Sequence, residues 1–470
     1  MNTMAKYLII SVAAVLACGL PAAGQTPADP LAIHSAQLAA MNAHDLDKMM
    51  SYWAEDGMYD LVSQPPPVPK AYVRAGFQQR FAAYPDFRME MVRVLATDKV
   101  VVEEGLTKYT DTKTGVKITI PHVSIYDIAD GKIKKVTSYN DRLGPMVLRG
   151  QAPAPVIPPL IPSVALPAPE PTGLSPLAAN AELVKRWNGH EVAGIAKMTQ
   201  KDATIFAGPL GRALSRAEMA ALNEMYFQGF SQATIKPVRT VDLGGGWILM
   251  EYTAMSPHDG LFLGAAPLGY LVEIRVAWLA HFDTTGLLTQ QSFYYDNVTM
   301  TTQMTTAPFP PEGIWITAVP TPMGNYLSKT LYTAQDPGKT KLSGTLEWIN
   351  CLPLFKELYP DADPSLDYSV GGQAVMVGRN KYDATYLGYS RKINAKTGAV
   401  EIVGIWTLSA HFEFVALDRI EGYGPASYYL AAQDADQDGF PDAGQKPVVC
   451  LPWSWTCKRL TALPGCTPTP

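Results

Sequence analysis

The stretch TIPHVSIYDIADGKIKKVTSYND, residues 119–141, has the pattern of a β-hairpin. Two runs rich in β-branched and aromatic residues flank Asp130 and Gly131, and an Asp-Gly pair is a strong signal for a two-residue hairpin turn. The hairpin also carries a histidine near its start, His122, and an aspartate at its end, Asp141. The register of the two strands decides whether these side chains can act together.

A two-residue turn predicts that His122 faces Tyr139 and that Ile120 faces Asp141. Facing and diagonal residues share one side of a sheet, and diagonal positions lie about 7–8 Å apart, within reach of one small ligand. An aspartate beside isoleucine on a buried face should have a raised pKa, which suits a general acid or base near neutral pH. We therefore predict His122, Asp141 and Tyr139 as catalytic residues. The alternative is an open sheet face with solvated polar side chains.

The hairpin and the segment that precedes it occur twice in the chain. The motif NAHDL at residues 42–46 returns as NGHEV at residues 188–192. Asp141 returns as Asp296 in the second hairpin. Two copies predict a tandem duplication, because a solenoid requires three or more short units.

The second copy carries different side chains at the positions of the first site. Ala277 takes the position of His122, and Asp296 is predicted to face Arg275. The second copy is therefore predicted to have a degenerate site, with a structural or ligand-binding role. His44 and His190 occur in both copies, at the break before a helix, where a role in the turn explains them better than catalysis.

Each copy is predicted to begin with helices and to continue with antiparallel strands. Leu46, Met49, Met50 and Trp53 repeat at helical spacing, and strand-like segments follow up to the hairpin. Helices followed by a run of strands indicate an α+β fold, with the helices against one face of a curved sheet. The chain from residue 307 onward is strand-like and predicts an all-β barrel or sandwich.

Composition divides the chain into domains. At 470 residues it has room for about three. A proline-rich stretch at residues 146–176 predicts a semi-stiff extended linker. We assign residues 31–145 to the first domain, 177–303 to the second and 307–470 to the third. The formal net charge of −5 provides no basic surface, which argues against nucleic acid as a partner.

Residues 1–24 have the features of a secretory signal peptide. A single lysine precedes an apolar run that is too short to span a bilayer, and small residues follow at positions 22–24. We predict export to the periplasm or the extracellular space, with simple cleavage favoured over a lipid anchor on Cys18. An even number of cysteines in an exported chain predicts two disulfides. The four cysteines that remain are Cys351, Cys450, Cys457 and Cys466.

The segment DADQDGFPD at residues 434–442 resembles a calcium-binding loop. Gly439 permits a sharp turn, and Gln445 stands where an EF-hand has a bidentate glutamate, so the loop resembles those of thrombospondin type 3 repeats. We predict a structural Ca²⁺ that fixes the tail, with an exposed acidic turn as the alternative, and no organic cofactor. The predicted ligands are Asp434, Asp436, Asp438 and Asp442.

The hairpin, together with NAHDLDKMMSYWAEDGMYD at residues 42–60, resembles the SnoaL-like polyketide cyclases of the nuclear transport factor 2-like superfamily. The resemblance covers residues 31–145 well and residues 177–303 more weakly. It implies a cone-shaped α+β fold with a deep pocket. It also implies that a histidine and an aspartate, at the positions of His122 and Asp141, perform acid/base chemistry in an intramolecular aldol closure.

Two classes of function follow from these observations. In the enzymatic hypothesis, the first domain transfers a proton on a small, mostly apolar carbonyl compound, as a cyclase or isomerase does. In the alternative, the chain is a non-catalytic ligand-binding or scaffolding protein of the cell envelope. Under either hypothesis, the two copies are expected to pair as a pseudo-dimer, and no membrane-spanning segment is predicted.

Overall fold

The computed structural model describes residues 29–460, except residues 65, 155, 322–323, 337–338, 349–359, 364–365 and 367–369. These residues form two curved six-stranded sheets with helices, followed by a closed eight-stranded barrel. The predicted α+β class is confirmed, and of the two alternatives for the third domain the barrel is correct. The predicted signal peptide lies outside the described residues, as do Cys18, Cys351 and Cys466.

The first domain has a helical layer on one face of a mixed sheet. Its helices are α1 (Pro30–Asn42), α2 (Leu46–Ser51), α3 (Lys70–Ala83) and α4 (Leu143–Leu148). Its strands are β1 (Trp53–Leu61), β2 (Val68–Pro69), β3 (Arg88–Ala96), β4 (Val100–Thr110), β5 (Lys117–Ala129) and β6 (Lys132–Asn140). The sheet order is β2-β1-β6-β5-β4-β3, with β1 parallel to β6. Asp29 and Asp45 cap α1 and α2 by accepting backbone N–H hydrogen bonds.

The second domain repeats this arrangement. Its helices are α5 (Pro176–Asn188), α6 (Val192–Lys197), α7 (Arg216–Gly229) and α8 (Asn297–Thr305). Its strands are β7 (Thr199–Ala207), β8 (Arg212–Leu214), β9 (Thr234–Gly244), β10 (Trp247–Pro257), β11 (Leu271–Phe282) and β12 (Leu288–Tyr294). The order β8-β7-β12-β11-β10-β9 matches that of the first sheet. Among the helices of the described residues, none is both long and apolar enough to cross a membrane.

The two sheets contact each other through the faces that their helices leave uncovered. Val123 and Ile125 of β5 belong to one apolar cluster with Leu249 and Leu279 of the second sheet. Two buried tyrosine–glutamate pairs cross the contact in a reciprocal way. The Tyr139 hydroxyl donates to Glu251, and the Tyr294 hydroxyl donates to Glu104, each at 2.8 Å.

The proline-rich linker lies against the second domain. The predicted linker of residues 146–176 is too long, because α4 continues to Leu148 and α5 begins at Pro176; the described residues between these helices contain no helix or strand. The backbone N–H groups of Thr172 and Gly173 both donate to the carbonyl oxygen of Thr285 at 3.0 Å. The linker is therefore held along its last third by hydrogen bonds to the loop that joins β11 and β12.

The third domain is a barrel whose strands follow one another around the wall. They are β13 (Gly313–Thr321), β14 (Gly324–Ala334), β15 (Lys341–Trp348), β16 (Val370–Gly378), β17 (Lys381–Ile393), β18 (Val400–Ala416), β19 (Arg419–Leu430) and β20 (Val449–Arg459). Aromatic side chains such as Trp315 and Phe414 fill its interior. Arg379 joins the barrel to the second domain by donating to the carbonyl oxygens of Leu271 and Gln303.

Candidate active site

The predicted register of the first hairpin is wrong by one residue near its open end. A bulge between Asp127 and Ile128 shifts the ladder, so that His122 pairs with Asn140 and Val123 pairs with Tyr139. Successive residues of a strand point to opposite faces, so a slip of one residue reverses every side chain beyond it. Tyr139 therefore lies on the face opposite His122, in the contact between the two sheets.

Asp141 is also separate from His122. It follows the last residue of β6, and its Oδ1 accepts hydrogen bonds from the N–H groups of Leu143 at 3.2 Å and Asn297 at 2.9 Å. Burial raises the pKa of Asp141, more than its hydrogen bonds lower it, in the predicted direction. The cause is burial at the junction of the two domains, and Asp141 does not line the cavity that His122 lines.

A cavity of about 290 Å³ lies between the helices of the first domain and the inner face of its sheet. His122 is in its wall, 3% exposed. The wall is mixed, with apolar groups such as Phe77 and Met89 and several hydroxyl and amide groups. The hydroxyl and amide side chains are those of Gln37, Tyr59, Tyr84, Thr107, Tyr109, Ser124, Tyr126, Ser138 and Asn140.

Behind His122 lies a buried carboxylate that joins two histidines. Nε2 of His122 is 2.9 Å from Oε1 of Glu103, and Nε2 of His34 is 2.5 Å from Oε2 of the same carboxylate. The Tyr126 hydroxyl also donates to Oε2, at 3.2 Å. Glu103 is 0% exposed. We call Glu103, His34 and His122 the buried triad.

The charge of Glu103 is stabilised within this group. Burial alone would raise the pKa of the Glu103 carboxyl, but hydrogen bonds and charge from His122 and His34 outweigh it and lower the pKa to about 2. Because an ionised carboxylate only accepts hydrogen bonds, both histidines donate their Nε2–H to it. Glu103 is thus the charged centre of the triad at neutral pH.

This pairing fixes which nitrogen of His122 can act on a ligand. With its proton on Nε2, the neutral ring has an acceptor at Nδ1. Nδ1 lies 3.3 Å from Oγ1 of Thr107, another residue of the cavity wall. A carboxylate that orients a histidine is the arrangement that prepares an imidazole to take up a proton, because the imidazolium that forms is stabilised by the carboxylate.

A glycine makes room for the imidazole. Gly105 pairs with His122 across β4 and β5. A Cβ atom added at Gly105 would lie 3.0 Å from Cε1 of His122 and 2.9 Å from the carbonyl oxygen of Glu90. A larger residue would therefore crowd both the Glu90 carbonyl and the His122 ring, and the ring would have to move.

Two arginines line the same cavity, and their guanidinium groups have different kinds of partner. Arg149 donates to Asp111 at 2.6 Å and to the Tyr109 hydroxyl at 2.9 Å. Arg80 contacts aromatic rings, with its guanidinium carbon 5.1 Å from the ring centre of Phe77. Within the part of the chain that the structure describes, no carboxylate forms an ion pair with Arg80. Its charge is thus available to a ligand in the cavity.

The second domain has lost the whole triad, not the histidine alone. The strand pairings show which residues correspond. In the first domain Val123 pairs with Glu104 on one side and Tyr139 on the other. In the second domain Ala277 pairs in the same way with Glu251 and Tyr294, so Ala277 corresponds to Val123. By this correspondence the residue at the position of His122 is Val276, so the predicted equivalence with Ala277 is wrong by one. Met250 replaces Glu103, and Asn180 replaces His34; the Asn180 amide donates to the Met250 sulfur at 3.8 Å.

The predicted pair of Asp296 with Arg275 is also wrong, because β12 ends at Tyr294 before it reaches Asp296. Asp296 instead caps α8 and accepts hydrogen bonds from the backbone and guanidinium of Arg142 in the first domain. Arg275 pairs with Asp60, at 2.9 Å. Burial would raise the pKa of Asp60, but hydrogen bonds from Arg275 lower it.

The two histidines that both copies share lie in turns. His44 and His190 have positive φ angles of 56° and 55°. Their Nε2 atoms bond the carbonyl oxygens of Phe87 at 2.8 Å and Ala233 at 2.9 Å. These contacts fit the predicted role in the turn before α2 and α6.

The acidic loop brings three of its four predicted ligands together. One carboxylate oxygen from each of Asp434, Asp436 and Asp442 lies within 4.8 Å of the others. Asp438 is not in this group, and its Oδ1 accepts a hydrogen bond from the Phe440 N–H at 2.8 Å. Oδ1 of Asp434 is buried without a partner among the described residues. Three hard oxygen donors at this spacing fit a divalent cation.

The two cysteines in the described part of the barrel are free thiols. Cys450 is exposed, whereas Cys457 is buried with its Sγ 3.0 Å from Oγ1 of Thr317. No disulfide therefore occurs within the described residues. The other two predicted partners, Cys351 and Cys466, lie outside them.

Sequence reasoning missed Glu103 and His34. The signal for Glu103 is the segment VVVEEGL at residues 100–106, where two adjacent glutamates interrupt an apolar strand. Because a strand alternates its faces, one of the two must point toward the helices. His34 carries no comparable signal, since it lies 69 positions from Glu103 in the chain.

Comparison with known proteins places this site in a family context. Residues 35–136 match the sequence model of the SnoaL-like domain. A search of curated proteins gives no match.

Matching solved structures include AclR from Streptomyces galilaeus, named as a candidate hydroxylase, with 20% identity over 28% of this chain and 97% of that one and a TM-score of 0.26. IdmH from Streptomyces antibioticus is named as a candidate polyketide cyclase. It matches with 20% identity over 28% of this chain and 98% of that one, with a TM-score of 0.26. A SnoaL-like polyketide cyclase candidate from Jannaschia sp. CCS1 matches with 16% identity over 28% of this chain and 94% of that one, with a TM-score of 0.27.

Proposed function

Because residues 35–136 form a SnoaL-like domain, we propose that the first domain transfers a proton on a small, mostly apolar carbonyl compound, as a cyclase or isomerase does. The observation that carries this proposal is the hydrogen bond of 2.9 Å between His122 in the cavity wall and the buried carboxylate of Glu103. His122 takes the catalytic role, and Glu103 is a positioning residue, because it lies behind the ring and does not line the cavity.

In the proposed reaction, Nδ1 of His122 accepts a proton from the carbon next to a substrate carbonyl. The C–H bond breaks, its electron pair forms an enolate, and the imidazolium that results is stabilised by Glu103. Attack of the enolate carbon on a second carbonyl carbon of the same molecule forms the C–C bond of a ring, and the imidazolium returns its proton to the alkoxide oxygen that results. Return of the proton to a different carbon completes an isomerisation instead.

The enolate oxygen requires a donor, and Arg80 is suited to this role. It lines the cavity and forms no ion pair with a carboxylate of the described residues. A preorganised cation at the position where negative charge develops lowers the barrier of such reactions. We therefore assign substrate orientation to Arg80 and proton transfer to His122.

Exchange of α-hydrogen for deuterium provides the test, with cyclohexanone and related small ketones as probes in D₂O. The full chain should accelerate the exchange seen by NMR, and His122→Ala should abolish the acceleration. Glu103→Gln should reduce it by about 10²-fold, within the range for general acid–base catalysis. Asp141→Asn and Tyr139→Phe are matched controls that should retain it, because neither residue lines the cavity.

A second function, ligand binding without chemistry, is favoured by one observation. Asn140 pairs with His122 and lines the cavity, whereas Asp141, to which the family resemblance assigns acid/base chemistry, does not line it. An amide can hold a ligand but does not act as a base at neutral pH. Saturable binding of a ketone with no acceleration of exchange would establish binding in place of catalysis.

The remaining sequence predictions enter as further parts of the proposal. We propose that the chain is exported through its signal peptide and that Asp434, Asp436 and Asp442 hold a structural Ca²⁺. The two SnoaL-like units are proposed to act as a pseudo-dimer, supported by the reciprocal pairs of Tyr139 with Glu251 and Tyr294 with Glu104. Mass spectrometry of the mature N-terminus distinguishes simple cleavage from a lipid anchor on Cys18.

A further inference from the structure

The second domain contains a cavity of its own, of about 120 Å³, between its helices and the inner face of its sheet. Its wall is apolar and rich in aromatic rings, among them Trp187, Tyr226, Trp278 and Phe293. An apolar cavity of about 150 Å³ is known to bind benzene. The space therefore suits a ligand with a body of about one aromatic ring.

One cation, Arg216, lies in this apolar wall. It is the first residue of α7, and its Nη2 donates to the carbonyl oxygens of Pro167 at 2.5 Å and Ala196 at 2.7 Å. Nε is buried without a hydrogen-bond partner, and no carboxylate pairs with the guanidinium within the described part of the chain. Burial lowers the pKa of Arg216, and no acidic group offsets the effect.

Arg216 shares one face of its helix with a second polar residue of the cavity wall, Asn223. Arg216, Ala220 and Asn223 are spaced at i, i+4 and i+7 on α7, and all three line the cavity. On β12, Gln291 accepts a hydrogen bond from Nε1 of Trp278 at 2.7 Å. Arg216 is partly buried, with its Nε removed from water, so the absence of a counterion is unfavourable and an anion supplied by a ligand reduces that cost.

We propose that the second domain binds a small apolar monocarboxylate of about the size of benzoate. The carboxylate lies against the Arg216 guanidinium, whose planar fork matches its geometry. The apolar body lies among the aromatic rings of the wall, where it is removed from water. This site is in a different domain from His122 and does not rest on the proton-transfer reaction.

Calorimetric titration of the full chain with benzoate, at neutral pH, tests this assignment, with benzyl alcohol as a neutral ligand of similar size. Benzoate should bind at least tenfold more tightly than benzyl alcohol. Arg216→Met should remove at least tenfold of the benzoate affinity and leave that of benzyl alcohol within twofold. Ala220→Phe, which fills the cavity, should abolish the binding of both. Arg212→Met is the matched control, because Arg212 is exposed and pairs with Glu218.

Two outcomes would overturn the assignment. Equal affinity for benzoate and benzyl alcohol would show that the charge of Arg216 is not used. Loss of benzoate binding in Arg80→Met, with binding retained in Ala220→Phe, would place the ligand in the first domain. Should Arg216→Met fail to fold by circular dichroism, Arg216→Lys decides the question, since it keeps the charge and loses the fork. Unchanged affinity in that variant would equally contradict the proposal.

Discussion

Replacing the buried triad with the residues of the second domain should remove a defined part of the pH dependence of stability. The variant is His34→Asn, Glu103→Met and His122→Val in one chain. Asn180, Met250 and Val276 occupy the equivalent positions in the second domain, so the same fold is known to accept them together. The triple variant should therefore fold and should lose proton transfer.

The magnitude follows from the pKa of Glu103, which is about 2 in the folded protein against an ordinary value of 4.5. A lowered pKa contributes stability that is present above pH 4.5 and is lost as the pH falls toward 2. The contribution is about 3 kcal/mol at pH 6 and about 1 kcal/mol at pH 3. The wild type should therefore lose about 2 kcal/mol over this interval that the triple variant does not lose.

The assay is urea denaturation at pH 6 and pH 3, with hydrogen exchange of a peptide from Val100–Thr110 as the readout for the first domain. Glu103→Met alone should destabilise the domain by about 3–5 kcal/mol, because both histidines lose their acceptor. Thr107→Val is the control, since it lines the cavity but is not bonded to Glu103. An equal loss of stability in the wild type and the triple variant would refute the view that Glu103 is the charged centre.

Three further predictions concern other parts of the molecule. Gly105→Ala should displace the His122 ring, from which the new Cβ would lie 3.0 Å away, and should slow proton transfer at least tenfold in the deuterium-exchange assay. Tyr139→Phe should destabilise the protein by about 1–3 kcal/mol in urea denaturation, because buried Glu251 loses its donor, and should leave proton transfer intact. Chelation of divalent ions should lower the melting temperature of the full chain, and Ca²⁺ should restore it. Asp434→Asn should abolish that response and Asp438→Asn should leave most of it, as Asp438 is outside the acidic group.

Local patterns predicted the elements that depend on local interactions. The Asp130-Gly131 pair marks the hairpin turn, and both residues adopt positive φ angles there. Helical spacing before the strands predicted the α+β class, and the strand-like tail predicted a barrel as one of two alternatives. These signals are readable because a turn or a helix face is determined by residues a few positions apart.

The partners of His122 could not be predicted from the sequence pattern, because they depend on a strand irregularity and on long-range packing. The bulge between Asp127 and Ile128 has no signature in composition, yet it moves Tyr139 and Asp141 out of reach of His122. Glu103 and His34 meet only after the first helix has packed across the sheet. The sequence therefore identified His122, which lines the cavity, but paired it with Tyr139 and Asp141 in place of Glu103 and His34.

The reciprocal tyrosine–glutamate pairs have a consequence for how the two halves could exist apart. Each unit carries both a tyrosine donor and a glutamate acceptor, Tyr139 and Glu104 in the first, Tyr294 and Glu251 in the second. A severed first half would expose an apolar sheet face and leave Glu104 without its donor. It also holds the complement of that face, so two severed copies would satisfy each other. We expect such a fragment to be a symmetric homodimer in solution, the kind of assembly from which a fused chain can descend with the buried triad kept in one half and replaced in the other.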